Sequence, residues 1–177
     1  MSVRDEINIL CGRQELFRLK PEYQLQQEYR AMYVSAQING LILGTSCRDE
    51  EEKFRWRSAR ADLDWFIQGR VITVPVESRQ GGDHFMSQLQ PSDDEVWDIR
   101  CRDPEPGIRV LGSFGEKNLF IALTWELRNP LGGFGSTAWL EATARSKNEW
   151  QRLFRSIPFR GNYPDAYITG AIPIGDD

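Results

Sequence analysis

The chain has 177 residues and a mass of 20.5 kDa, long enough to bury roughly 70% of the surface it would expose unfolded. Hydrophobic residues make up 40% and charged residues 27%, which excludes wholesale disorder, and no run approaches the 18 apolar residues that a membrane-spanning helix needs. The net charge of -4 argues against a surface that coats nucleic acid, though not against a local basic patch.

Residues 1–5 run straight into polar sequence and give no apolar signal-peptide core. Cys11, Cys47 and Cys101 lie far apart, no CxxC is present, and His84 is the single histidine, so a cysteine-rich zinc site is not expected. The three thiols read as reduced, although a Cys11–Cys47 disulfide stays open. Of the 22 basic residues only Lys20, Lys53, Lys117 and Lys147 are lysines, which leaves 18 arginines. Arginine suits bidentate contact with carboxylate or phosphate.

In chain order, residues 7–10 read as a short strand. Leu25, Tyr29, Met32 and Ala36 recur at three- and four-residue steps, which predicts a helix over 21–37. Gly40 and Gly44 bracket Leu41-Ile42-Leu43, a strand or a self-buried turn. A second helix starts near the capping pair Ser46 and Asp49 and carries Asp49, Glu50, Glu51 and Glu52 at the positive end of its dipole. Phe54, Ser58, Ala61 and Trp65 form one row and Ala59, Leu63 and Phe66 its neighbour. Both read as core, and Gly69 is a natural stop.

Residues 71–76 read as an edge strand or the end of one because of Pro75. Gly81-Gly82-Asp83 is a break, His84 an exposed loop histidine, and Phe85, Met86 and Leu89 one helical turn. The clearest region follows. Residues 96–102 read as a strand with Trp97, Ile99 and Cys101 on one side and Asp98, Arg100 and Arg102 on the other. The connector Asp103-Pro104-Glu105-Pro106-Gly107 leads to a strand over 108–114. Gly115-Glu116-Lys117-Asn118 turns into a third over 119–128, with Leu119, Ile121, Leu123, Trp125 and Leu127 on one face. Short links between three strands predict an antiparallel meander with one covered face and one wet face.

Residues 129–135 read as a loop, linker or flap. A helix is expected within 137–157, with a second capping pattern at Ser146 and Glu149 that divides it. Its broad face carries Trp139, Thr143, Ser146, Trp150 and Leu153, and Pro158 ends it. Residues 166–174 read as a last strand or a tail. The expected fold class is α+β: a small, mainly antiparallel sheet with helices packed on one face. One domain is expected, with its core over 46–157 and extensions at both ends.

No Walker motif, dinucleotide fingerprint or GxSxG elbow is present. Gly132-Gly133-Phe134-Gly135 lacks the strand, helix and lysine of a phosphate loop. A Ser–His–Asp hydrolase would have to use His84 as base, Asp83 or Glu77 to orient it, and Ser78 or Ser87 as nucleophile; nothing in the spacing sets that geometry. The strongest constellation is the polar sheet face with Arg100, Arg102, Arg109, Glu126 and Arg128. Guanidinium groups converging there repel unless an anion joins them, and RNA phosphate is such an anion. Cleavage without a metal could proceed by 2′-hydroxyl attack, with Glu126 as base and the arginines in an electrostatic role. The alternative is a set of ion pairs with Asp98 and Glu126 across a solvated sheet.

Three stretches, Val96-Trp97-Asp98-Ile99-Arg100, Gly107-Ile108-Arg109-Val110-Leu111 and Leu119-Phe120-Ile121-Ala122-Leu123-Thr124-Trp125-Glu126-Leu127-Arg128, resemble the RelE/HigB-type toxin superfamily. The resemblance covers roughly residues 50–128. It implies a small α+β fold and a metal-independent endoribonuclease acting on mRNA. It further implies contact with RNA or the ribosome and neutralisation by an antitoxin or another protein; some members are phage-related. Arg100 and Arg109 match the family's sheet arginines, and Trp125 and Arg128 fall where it has an aromatic residue and a basic pair. Glu126 and Leu127, the acidic balance and the length depart from its pattern. The candidate catalytic residues are thus Arg100, Arg109, Glu126 and Arg128, with Arg102, Lys117 and Trp125 as candidate RNA contacts. No cofactor, metal or membrane is implied, and the expected location is cytoplasmic. The alternative function is a non-enzymatic interaction or structural protein.

Overall fold

The structure is a computed structural model that describes residues 1–23, 26–75 and 83–175. Leu25, Val76, Glu77, Ser78, Gly81 and Gly82 lie outside the described residues, and with them part of the sequence reading of 21–37 and of 71–82.

The chain opens with a helix, α1 (Val3–Gly12), not with the strand expected at 7–10. Ser2 caps it reciprocally: its hydroxyl accepts from the Asp5 amide at 3.2 Å and its own amide donates to Asp5 Oδ2 at 2.8 Å. Val3, Ile7 and Leu10 fall on one buried side, so helical spacing prevails over the local apolar run. Next come β1 (Leu16–Leu19) and β2 (Ala31–Ser35). The helix expected over 21–37 is replaced by β2 and a following short helix, α2 (Ala36–Ile42). Met32 and Val34 alternate into the core, and β2 pairs with strands on both sides, whereas Tyr29 is exposed. Pairing with distant chain here outweighs local periodicity. The segment Leu41-Ile42-Leu43 is the end of α2, which Ser35 caps.

Helix α3 (Glu50–Ile67) is N-capped by Asp49, whose carboxylate accepts from the Glu52 amide at 2.8 Å. Its core row is Trp56, Ala59, Leu63, Phe66 and Ile67. The row expected beside it faces outward, with Phe54 59% and Trp65 46% exposed. Gly69, at φ +71°, terminates the helix as expected, and a Cβ there would stand 2.6 Å from Tyr29 Cβ. Strand β3 (Ile72–Pro75) follows. Strand β4 (Met86–Gln88) takes the place of the helical turn, and a single 3₁₀ turn (Ser92–Asp94) precedes the meander.

The meander is β5 (Trp97–Cys101), β6 (Ile108–Glu116) and β7 (Leu119–Leu127), paired antiparallel in sequence. Short helix α4 (Arg128–Leu131) occupies part of the expected loop. Helix α5 (Thr137–Leu153) is continuous through Ser146. That residue is buried rather than acting as a cap, and Ser136 supplies the N-cap. The chain closes with α6 (Pro164–Tyr167) and β8 (Ala171–Ile174).

The fold is α+β, built on a six-stranded sheet in the order β1-β2-β7-β6-β5-β4, with a two-stranded parallel sheet of β3 and β8 beside it. In the large sheet only β2 and β7 run parallel. Helices cover both faces, which corrects the expectation of a single covered face. Helices α2 and α3 pack Ile38, Leu41, Trp56, Leu63 and Phe66 onto Met32, Val34, Ile99, Val110 and Phe120. On the other side α1 and α5 pack Val3, Ile7, Leu10, Trp150 and Phe154 onto Leu119, Ile121 and Leu123, while Trp139 and Ala142 meet Val96 and Leu111. Residues 119–123 of β7 are buried on both sides, so the strand demands a layer on each.

The single-face reading of β7 is also corrected. Leu111 pairs with Thr124 but Gly112 pairs with Ala122, so Leu123 is an extra residue in β7. This bulge reverses the alternation. Leu123 faces the α1 and α5 side, whereas Trp125 and Leu127 pack on the α2 and α3 side.

Candidate functional site: an arginine cavity at the end of the sheet

Trp97, Ile99, Cys101, Ile108 and Val110 face the α3 core, so period-two alternation sends Asp98, Arg100 and Arg109 to the opposite face. Register decides the rest. Arg100 stands directly across from Arg109, and Arg109 directly across from Glu126. Arg102 extends the line just past β5, and Arg128 begins α4 just past β7. Arg100, Arg102, Arg109 and Arg128, with Cys101, Glu105 and Gly107, line one cavity of about 240 Å³. Gly107 is required by the tight connector, because a Cβ would stand 2.5 Å from the Cys101 carbonyl oxygen.

Two of the lining arginines are buried: the Arg100 side chain is 6% exposed and that of Arg109 12%, and the Asp98 side chain near both is 1% exposed. Asp98 Oδ1 accepts from the Ser87 hydroxyl at 2.6 Å. Its Oδ2 lies 3.6 Å from Arg109 Nη1 and 3.8 Å from Arg100 Nε, close enough for charge attraction but outside hydrogen-bonding distance. Arg109 Nε and Nη1 are buried with no hydrogen-bond partner. Burial pushes the Arg109 guanidinium down to about 10; Asp98 opposes the shift, and Arg100, Arg128 and Arg102 add to it. Arg100 is lowered too, by burial first and by Arg128, against Asp98. At the rim Arg102 pairs with Asp83 and donates to the His84 carbonyl at 3.1 Å, and Arg128 Nη1 donates to the Gly132 carbonyl at 2.8 Å.

His84 is buried, not the exposed loop residue its glycine-rich setting suggests. Burial, then Arg100, pushes its imidazole down to about 4, with Arg109 adding to the fall and Asp98 opposing it. Among the described residues Ser87 does not complete a triad with His84: its hydroxyl is spent on Asp98, and His84 Nε2 has no hydrogen-bond partner, while Glu77 and Ser78 lie outside the described residues. Asp62 of α3 sits beside Cys101 and Asp103. Burial pushes its carboxyl up to about 6 and Asp103 adds to the rise, while the Cys101 thiol and Arg102 oppose it.

The fold thus gathers Arg100, Arg102, Arg109 and Arg128 and leaves three other candidates elsewhere. Glu126 is next to Arg109 in register but ion-paired with Arg145 of α5. Trp125 is on the far face, its ring edge-on to Trp56 with centroids 5.4 Å apart. Lys117 is in the β6–β7 turn, eight residues along β6 from Arg109, or roughly 25 Å at the rise of a strand. Sequence reasoning did not find Ser87 and His84 as neighbours of the cluster. The signal for Ser87 is its register opposite Asp98, which exists only once β4 is a strand.

Among the described residues no group of three or more metal-ligating side chains is found, and no helix is long and apolar enough to cross a membrane. Cys11, Cys47 and Cys101 are free thiols. Comparison with protein-family models, with curated proteins and with solved structures finds no match to this chain.

Proposed function

We propose that this protein is a binding module that receives one anionic group of a ligand in the cavity formed by Arg100, Arg102, Arg109 and Arg128. The observation that carries the reading is the state of Arg109. Two of its nitrogens are buried without acceptors, and its neighbouring carboxylate is held by Ser87 at more than hydrogen-bonding distance. A buried charged donor without an acceptor is costly, and an anion entering from the rim removes that cost. The buried cysteine Cys101 and the other two free thiols suit a reducing cytoplasm, which is where we place the protein.

The test is titration with inorganic phosphate, read by calorimetry. Each charge-assisted contact contributes about 1.5–3 kcal/mol, so Arg128→Gln should weaken binding roughly tenfold or more. Equal weak binding by the wild type and by an Arg109→Gln/Arg128→Gln double variant rejects the reading.

A second reading is the metal-independent endoribonuclease suggested by the resemblance to RelE/HigB-type toxins. The cross-strand pairing of Arg109 with Glu126 favours it. Glu126 would take the proton of a ribose 2′-hydroxyl, whose oxygen attacks the phosphorus. The 5′-oxygen departs with a proton from an acid, and a cyclic phosphate remains while the arginines hold the added charge. The ion pair with Arg145 must open first. An antitoxin-like protein over the cavity is the partner this reading implies. Growth arrest with mRNA loss on expression, abolished by Arg109→Ala in a folded variant, supports it. Normal growth at high soluble expression counts against it.

A further inference from the structure

We propose that the group received by the arginine cavity is a terminal phosphate, the end of a phosphomonoester; this names a ligand class for the site proposed above and rests on that reading. Three features of the cavity converge on it.

The first is size. About 240 Å³ falls below the roughly 300–1,000 Å³ that encloses a whole small ligand. The cavity takes a head group while the rest of the ligand stays outside. The second is depth. Arg109, which lines the cavity, has a side chain only 12% exposed. An internal phosphodiester carries chain on both sides and must leave the cavity twice, whereas a terminal group needs one way out.

The third is the direction of the donors. Arg102 reaches the cavity from the end of β5, Arg109 from β6 and Arg128 from the start of α4. A carboxylate is planar and offers two oxygens. A terminal phosphate offers three, tetrahedrally disposed, and a charge near -2 at neutral pH. Arg109 lines the cavity, and its Nε and Nη1 lack acceptors.

The experiment titrates the full chain with phenyl phosphate, methyl phenyl phosphate and benzoate, a monoester, a diester and a carboxylate on one aromatic body. At pH 7.5 the monoester should bind about tenfold or more tightly than either other probe. At pH 5 its advantage over the diester should shrink to within about twofold, because its second ionisation lies near 6. His84, pushed down to about 4, stays mainly neutral across that range. Asp62, pushed up to about 6, does not, and Glu105 lines the cavity itself, so the pH series is run in an Asp62→Asn/Glu105→Gln background. Arg109→Gln should abolish the preference. Should that variant fail to fold, Arg128→Gln at the rim should reduce the monoester advantage at least threefold.

Diester or benzoate binding as tight as the monoester overturns the phosphomonoester inference and leaves the anion cavity standing. Failure of all three probes, together with failure of inorganic phosphate, overturns both.

Discussion

Asp98 Oδ2 stands 3.6 Å from Arg109 Nη1 across β5 and β6, buried on the face away from α3 and short of a hydrogen bond. The carboxylate is pinned from the other side by the Ser87 hydroxyl at 2.6 Å. It offsets the charge of Arg109 without saturating the donors. That leaves Nε and Nη1 of the guanidinium without acceptors beside a carboxylate that offsets its charge.

Asp98→Asn separates these two effects. It keeps an acceptor for Ser87 but removes the buried negative charge. Breaking a buried ion pair costs about 3–5 kcal/mol, and at these separations about 2 kcal/mol is expected from urea unfolding. Phosphate affinity should move the other way and rise roughly three- to tenfold, because a repelling charge has gone. A variant as stable as wild type, or one with unchanged phosphate affinity, contradicts this description of the cavity.

His84 and Asp62 make opposite pH-dependent contributions. The folded His84 imidazole lies near 4 against an ordinary 6.5, so its contribution is complete above 6.5 and is lost as pH falls towards 4, at about 1.4 kcal/mol per pH unit. The folded Asp62 carboxyl lies near 6 against 3.8, so its contribution is complete below 3.8 and is lost as pH rises through 6. The two partly cancel between about pH 4 and 6 in the wild type. Asp62→Asn should therefore expose a steep loss of stability on acidification and raise stability at pH 7.5 by about 2 kcal/mol. His84→Gln should flatten the acid limb. Chemical denaturation at pH 7.5, 6 and 4.5 measures both, and a profile that neither substitution changes would show that burial of these groups is misplaced.

Trp125 is half-buried and packs against the core on the side of the sheet away from Arg109. Its edge-on packing against Trp56 predicts that Trp125→Ala destabilises the protein by about 2 kcal/mol, less than a fully buried tryptophan because its ring is half-buried. Phosphate titration of the folded variant should match wild type. A selective loss of phosphate or RNA binding with full stability would return Trp125 to the site.

Much of the arginine cluster could be read from the chain alone. Residues 96–102, 108–114 and 119–128 are strands by local pattern, and alternation puts Asp98, Arg100 and Arg102 on one side without knowledge of anything distant. The connector and turn signals are equally local. They make the three strands neighbours, so Arg109 needed only a register to join Arg100.

What the sequence could not contain was the outcome of long-range competition. Met32 and Val34 lie in a strand because β7 offers a parallel edge nearly ninety residues away. His84 is buried two residues before β4, which pairs with β5. One extra residue at Leu123 turned Trp125 to the opposite face from the residues it had seemed to accompany. Local spacing fixes which residues alternate. Only the pairing of distant segments, and the bulges it tolerates, decides which side they meet and whether water or a helix waits there.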